Sequence, residues 1–155
     1  MKSDHITDQT TRTNTYRFNR YKYFYIYYAH SIALYNSECE KQDLVFLQSI
    51  NTVLNPRDLN QNGMPVFINF TLYAKQVWYR GYTAGVCLEV IVALLKHIPV
   101  FSLYTRLPIS IKEQTRIIDT YNKTGLVESD IAMLSGIFSK SFVNRFCDFI
   151  EGDLP

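Results

Sequence analysis

Net charge is almost missing from this chain. Sixteen Lys and Arg stand against fourteen Asp and Glu, for +2 at pH 7. No strong field draws it to nucleic acid or to an anionic membrane. Cysteine is scarce. Cys39, Cys87 and Cys147 are odd in number and far apart, which excludes a disulfide framework or a paired-cysteine metal site and fits a reducing compartment. Long apolar runs are also missing. The most apolar stretch, AGVCLEVIVALL (Ala84–Leu95), is twelve residues long and has Glu89 inside it. It is too short to cross a bilayer and reads as a buried helix. The first fifteen residues are polar, so the expectation is a cytoplasmic chain without a secretory leader. Phosphate loop, dinucleotide fingerprint, nucleophile elbow and metal-ligand spacing are all absent, and His5, His30 and His97 are scattered. The reading is therefore of a protein that is not an enzyme and needs no cofactor.

What is abundant is aromatic. Twelve Tyr and ten Phe help bring the aromatic share to 15%, and that many rings must be buried or face a partner. The length of 155 residues suits one domain or one domain with an appendage. Residues 1–15 form a polar tail. Tyr16–Leu54 is dense in apolar residues and free of Gly and Pro, so helix is favoured there, although its Tyr-rich half has high strand propensity. The bland reading of that half is a helix packed into the core; the sharper one is a stacking platform for single-stranded nucleic acid. Asn55–Pro65 is a loop by its Asn-Pro and Asn-Gly steps. Val66, Ile68 and Phe70 alternate well enough for a short strand near 66–70. A helix is expected over Ala74–His97, ended by Pro99, and Gly81 and Gly85 within it suit a close helix–helix approach.

Three more helices are expected at Ser110–Lys123, Val127–Leu134 and Lys140–Ile150. Ser110 and Ser139 are placed to cap the first and third. Gly125 is expected to stop the first in a left-handed conformation, and Gly136 to turn with positive φ. Ile111, Ile117, Ile118 and Tyr121 supply one apolar face; Phe142, Val143, Phe146, Phe149 and Ile150 supply another. The fold class expected from these elements is mainly α. A helical core and assembly region at 16–105 would be followed by a trihelical region at 106–155.

The stretch GLVESDIAMLSGIFSKSFVNRF resembles the LuxR-type helix-turn-helix pattern through Gly125, Leu126, Asp130, Ile131, Ala132, Gly136, Ser139, Val143 and Arg145. FSKSFVNRFCDFIEGDLP is similar in spacing to the reader of FlhC-type flagellar regulators. The resemblance covers about 45 residues and implies a transcription regulator that binds double-stranded DNA, as a homodimer or with a second regulator subunit. On that reading Ser139 orders the recognition helix, while Lys140, Ser141, Asn144 and Arg145 face the major groove. Arg12, Arg17, Arg20 and Lys22 would form an arm along phosphates. The alternative expectation is a non-enzymatic interaction module, such as an adaptor, an anti-activator or one subunit of a heteromeric regulator. Near-neutral charge and abundant tyrosine favour it.

Overall fold

In a computed structural model the protein is described over residues 23–59 and 63–152. It is an α/β fold, which overturns the mainly α, all-helical expectation. Four strands, β1 (Ile26–His30), β2 (Val53–Leu54), β3 (Gln76–Arg80) and β4 (Val100–Ser102), form one sheet in the order β2-β1-β3-β4. The pairings between these strands are parallel. Ile26 lies opposite Val53 on one side and Gln76 on the other, and Val77 lies opposite Val100.

The helices are α1 (Glu38–Gln48), α2 (Met64–Leu72), α3 (Ala84–Leu95), α4 (Ile111–Thr124), α5 (Val127–Ser135) and α6 (Lys140–Ile150). Short 3-10 turns occupy Ile32–Leu34 and Pro56–Asp58. The chain winds from β1 through α1 to β2 at one edge. It then crosses back through α2 to β3 on the other side of β1. The two halves diverge between β1 and β3.

Helices cover both faces. Tyr27, Ala29, Val77 and Tyr79 point into the larger core with α2, α3 and the C-terminal helices. Ile26, Tyr28 and Trp78 point into a smaller core under Leu47 of α1. All five residues of β1 are buried. A strand covered on both faces has no polar side, so its residues run apolar without alternation. Length and period then fail to tell it from a buried helix. From residue 23 on, the helix expected over Tyr16–Leu54 is for that reason a strand, a 3-10 turn, a helix and a second strand; residues 16–22 lie outside the described residues. The expected helix over Ala74–His97 is β3 and then α3, broken at Gly81, whose φ is +95°. The expected strand near 66–70 is instead the middle of α2, capped by Gly63 with Pro65 in its first turn. There Ile68 is fully buried and Phe70 nearly so.

α3 is the central helix of the larger core, and nine of its twelve residues are buried. α4, α5 and α6 follow their expected bounds within two residues. The Ser110 and Ser139 side chains accept hydrogen bonds from Glu113 N and Phe142 N, as capping requires. The two glycines behave otherwise. Gly125 has φ −78° and Gly136 φ −82°, so neither is left-handed. Gly125 is needed for space: a Cβ there would lie 2.6 Å from the Tyr121 ring and 2.7 Å from Tyr121 O. Ile111, expected inward, is 75% exposed. Ile117, Tyr121, Leu134, Phe142, Phe146 and Ile150 join the same hydrophobic cluster as α3.

Candidate functional site

In an open parallel sheet the crevice lies outside the carboxyl ends of the strands, where neighbouring connections leave in opposite directions. Here that point is between β1 and β3. A cavity of about 380 Å³ opens there. Its walls come from three strand ends. His30 ends β1 and Ser31, Ile32 and Tyr35 follow it, Pro56 follows β2, and Thr83 caps α3, whose first half carries Val86 and Glu89. Met64 and Phe67 of α2 complete it, and Gly85 lets α2 come close, with Met64 Sδ 3.5 Å from where a Cβ would stand. Thr83, Val86 and Glu89 are three apart, so they share one side of the helix. A second arm of about 350 Å³ runs on past Pro56, Met64 and Phe67 to Arg57, Leu59 and Gly63. Asn55, next to this wall, has a buried Nδ2 with no partner among the described residues.

Glu89 is the chemical centre of the cavity. It is 4% exposed, and Tyr27 Oη donates to its Oε2 at 2.7 Å. Burial pushes its carboxyl up to about 8, against a smaller downward pull from the Tyr27 hydrogen bond. The Tyr27 phenol is raised in turn, first by burial and then by the Glu89 charge. A carboxyl that titrates near neutrality in a cleft is a group suited to catalysis.

A second polar layer lies behind it, under α1. His30 Nε2 is 2.8 Å from Glu40 Oε2, and His30 Nδ1 is 3.0 Å from Tyr28 O. Both ring nitrogens therefore lie within hydrogen-bond distance of an oxygen. The Glu40 carboxyl is drawn up by burial. The His30 hydrogen bond, the Asn36 N–H and the Arg57 charge together outweigh burial and hold it below its usual value. Arg57 Nη1 lies 3.0 Å from Glu40 Oε1. Beside this pair, Asp43 accepts from Tyr28 Oη at 2.6 Å and from Arg80 Nε and Nη2 at 2.6 and 2.8 Å. α1 is thus held to the sheet largely by its two buried carboxylates and Leu47.

The residues singled out for DNA lie elsewhere. Ser139, Lys140, Ser141 and Asn144 are exposed on α6. Arg145 is half-buried, and its Nη2 donates to Leu95 O at 3.2 Å. Arg12, Arg17, Arg20 and Lys22 lie outside the described residues. Of the cysteines, Cys87 is buried, and burial pushes its thiol up to about 11, away from a nucleophilic thiolate. No group of three or more His, Cys, Asp or Glu that could hold a metal occurs among the described residues. No helix among them is long and apolar enough to cross a membrane.

Reading by motif missed Glu89, Tyr27, His30 and Glu40, because no short spacing joins them. One trace was visible: Glu89 is the lone charge in an otherwise apolar run of twelve. No known family model matches the chain, and no curated protein or solved structure matches it significantly.

Proposed function

We propose that this chain is an enzyme acting on an uncharged glycoside of the nucleoside type, with Glu89 as the attacking carboxylate. The observation that carries the reading is the buried Glu89 carboxyl at the floor of the switch-point cavity, held by the Tyr27 hydroxyl at 2.7 Å. Doubly wound parallel halves bind nucleoside-bearing ligands at this place. Ile32, Tyr35, Pro56, Met64 and Phe67 offer apolar walls for a flat heterocycle, and the polar groups gather at the floor. Among the described residues no Lys or Arg lines this inner cavity, a lining that suits a neutral ligand better than a phosphorylated one.

The carboxylate count points to the bond that breaks. Hydrolysis of an ordinary O-glycoside uses two carboxyl groups, one to attack and one to protonate the leaving oxygen. Among the described residues the inner cavity supplies Glu89 alone, because Glu40 is committed to His30 and Arg57. A nucleobase departs from the anomeric carbon with its electron pair more readily than an alkoxide and takes its proton from solvent. Glu89 Oε attacks the anomeric carbon, the C–N bond breaks, and a glycosyl ester forms. Water or the nitrogen of a second base then opens the ester and restores the carboxylate. Tyr27 keeps Glu89 oriented and stabilises its charged form by donating to it.

The test is release of free base from a panel of ribo- and 2′-deoxyribonucleosides, followed by chromatography. Glu89→Gln should lower release by at least ~100-fold. Wild-type protein that releases no base from any member, or a Glu89→Gln variant as active as wild type, overturns the reading.

Duplex-DNA reading by α6, with the chain as homodimer or heteromer, is the second reading. The exposed Lys140, Ser141 and Asn144 behind the Ser139 cap favour it. The inward Arg145, the side chain best suited to a guanine edge, weighs against it.

A further inference from the structure

We infer that Glu113, at the start of α4, is a positioning residue for Glu89: it clamps the turn from which α3 sets out. The inference takes its meaning from the role given to Glu89, but its geometry is independent of that role. The turn runs from Arg80 at the end of β3 through Gly81 and Tyr82 to Thr83, the N-cap of α3. Glu89 sits less than two turns further along that helix. Any tilt of the first turn therefore moves the carboxyl against Tyr27.

Several points of this turn are held by side chains distant in sequence. Tyr79 Oη and Tyr82 Oη both donate to Glu113 Oε1, at 2.8 and 2.7 Å. Gly81 N donates to Tyr104 Oη at 2.9 Å. The Tyr82 ring lies under the Arg116 guanidinium, 3.7 Å from its centroid, and parallel to the Tyr104 ring at 5.7 Å. Arg80 is fixed by both oxygens of Asp43. Two phenols converging on one oxygen need an acceptor there, and Glu113 is the group that joins the last buried tyrosine of β3 to the turn. The Glu113 backbone N–H is bound by Ser110 Oγ, so the clamp is anchored at the capped end of α4. In this way the C-terminal helices reach the cavity without lining it.

The measurement is the titration midpoint of the Glu89 carboxyl, read by carbon-13 NMR on glutamate-labelled protein and assigned by difference with Glu89→Gln. Among the described residues the titratable groups around Glu89 are Tyr27 from β1, with Tyr35 and His30 on the cavity wall. Glu113→Ala releases the turn and admits water to the floor, so the midpoint should fall by about one unit. Glu113→Gln removes the same charge but keeps an oxygen for both phenols, and its midpoint should stay close to wild type. Equal shifts in the two variants would mean that charge alone acts, and would overturn the clamp. An unmoved midpoint in a folded Glu113→Ala protein overturns it as well. If Glu113→Ala does not fold, Tyr82→Phe removes one of the two donors. A smaller downward shift then supports the inference, and no shift overturns it. Failure of wild-type protein to release nucleobase would sink the glycoside reading and leave this titration result intact.

Discussion

Arg80 and Asp43 meet through two parallel hydrogen bonds, at 2.6 and 2.8 Å, across 37 residues of sequence. The pair joins the last residue of β3 to the middle of α1, and the Asp43 side chain is only 6% exposed. Asp43→Ala leaves the Arg80 guanidinium and the Tyr28 hydroxyl without their acceptor. Removing one partner of such a pair costs about 3 kcal/mol or more. Urea denaturation should show that loss, while an exposed control such as Lys41→Ala stays within about 0.5 kcal/mol of wild type.

Stability should depend on pH through Glu89. Its folded carboxyl titrates near 8, against 4.5 ordinarily. Between those values the folded state holds a proton that the unfolded state has released, so stability falls as pH rises through this window. The contribution is fully present below 4.5 and lost above about 8. Its size is on the order of a few kcal/mol. Glu89→Gln cannot ionise, so subtracting its denaturation series from that of wild type should isolate this slope. A difference that stays flat across the window refutes the assignment.

The same titration sets the rate profile of the proposed reaction. Only ionised Glu89 attacks, so kcat/KM for base release should climb with pH and level off above about 8. A profile that instead declines above 8 would make Glu89 a proton donor rather than a nucleophile.

Gly125→Ala should destabilise the C-terminal helices. The added methyl would lie 2.6 Å from Tyr121 Cε1 and 2.7 Å from the Tyr121 carbonyl. Tyr121 is fully buried and donates to Asp130 Oδ2, so it has little room to yield. The expected cost is about 1–3 kcal/mol, as for overpacking elsewhere. Circular dichroism during thermal unfolding measures it.

Gel shift with a pool of duplexes at two salt concentrations tests α6. With Arg145 turned to Leu95 O, no retardation is expected at either concentration. Retardation that weakens steeply with added salt would support DNA reading, and Arg145→Ala should then relax base preference.

The parts that were legible in the sequence are those fixed by near neighbours. Ser110 and Ser139 each bond a backbone N–H three residues on, and the apolar faces of α4 and α6 repeat at helical spacing, so these helices showed themselves. The strands did not. Tyr25–Ala29 and Val77–Tyr79 are apolar on both sides because helices cover both sides, and the cover consists of segments distant in sequence. Gly125 was noticed for the wrong reason: it provides space for a ring and not a left-handed turn.

The sequence by itself determined where the C-terminal helices start and stop, and it placed one carboxyl in an apolar run. Both follow from hydrogen bonds and hydrophobic repeats that close within a few residues. Only the tertiary structure decided that Glu89 has Tyr27 as its partner, 62 residues away, and that Arg145 faces inward. Side chains so far apart in the chain meet only once the parallel sheet has set its strand order.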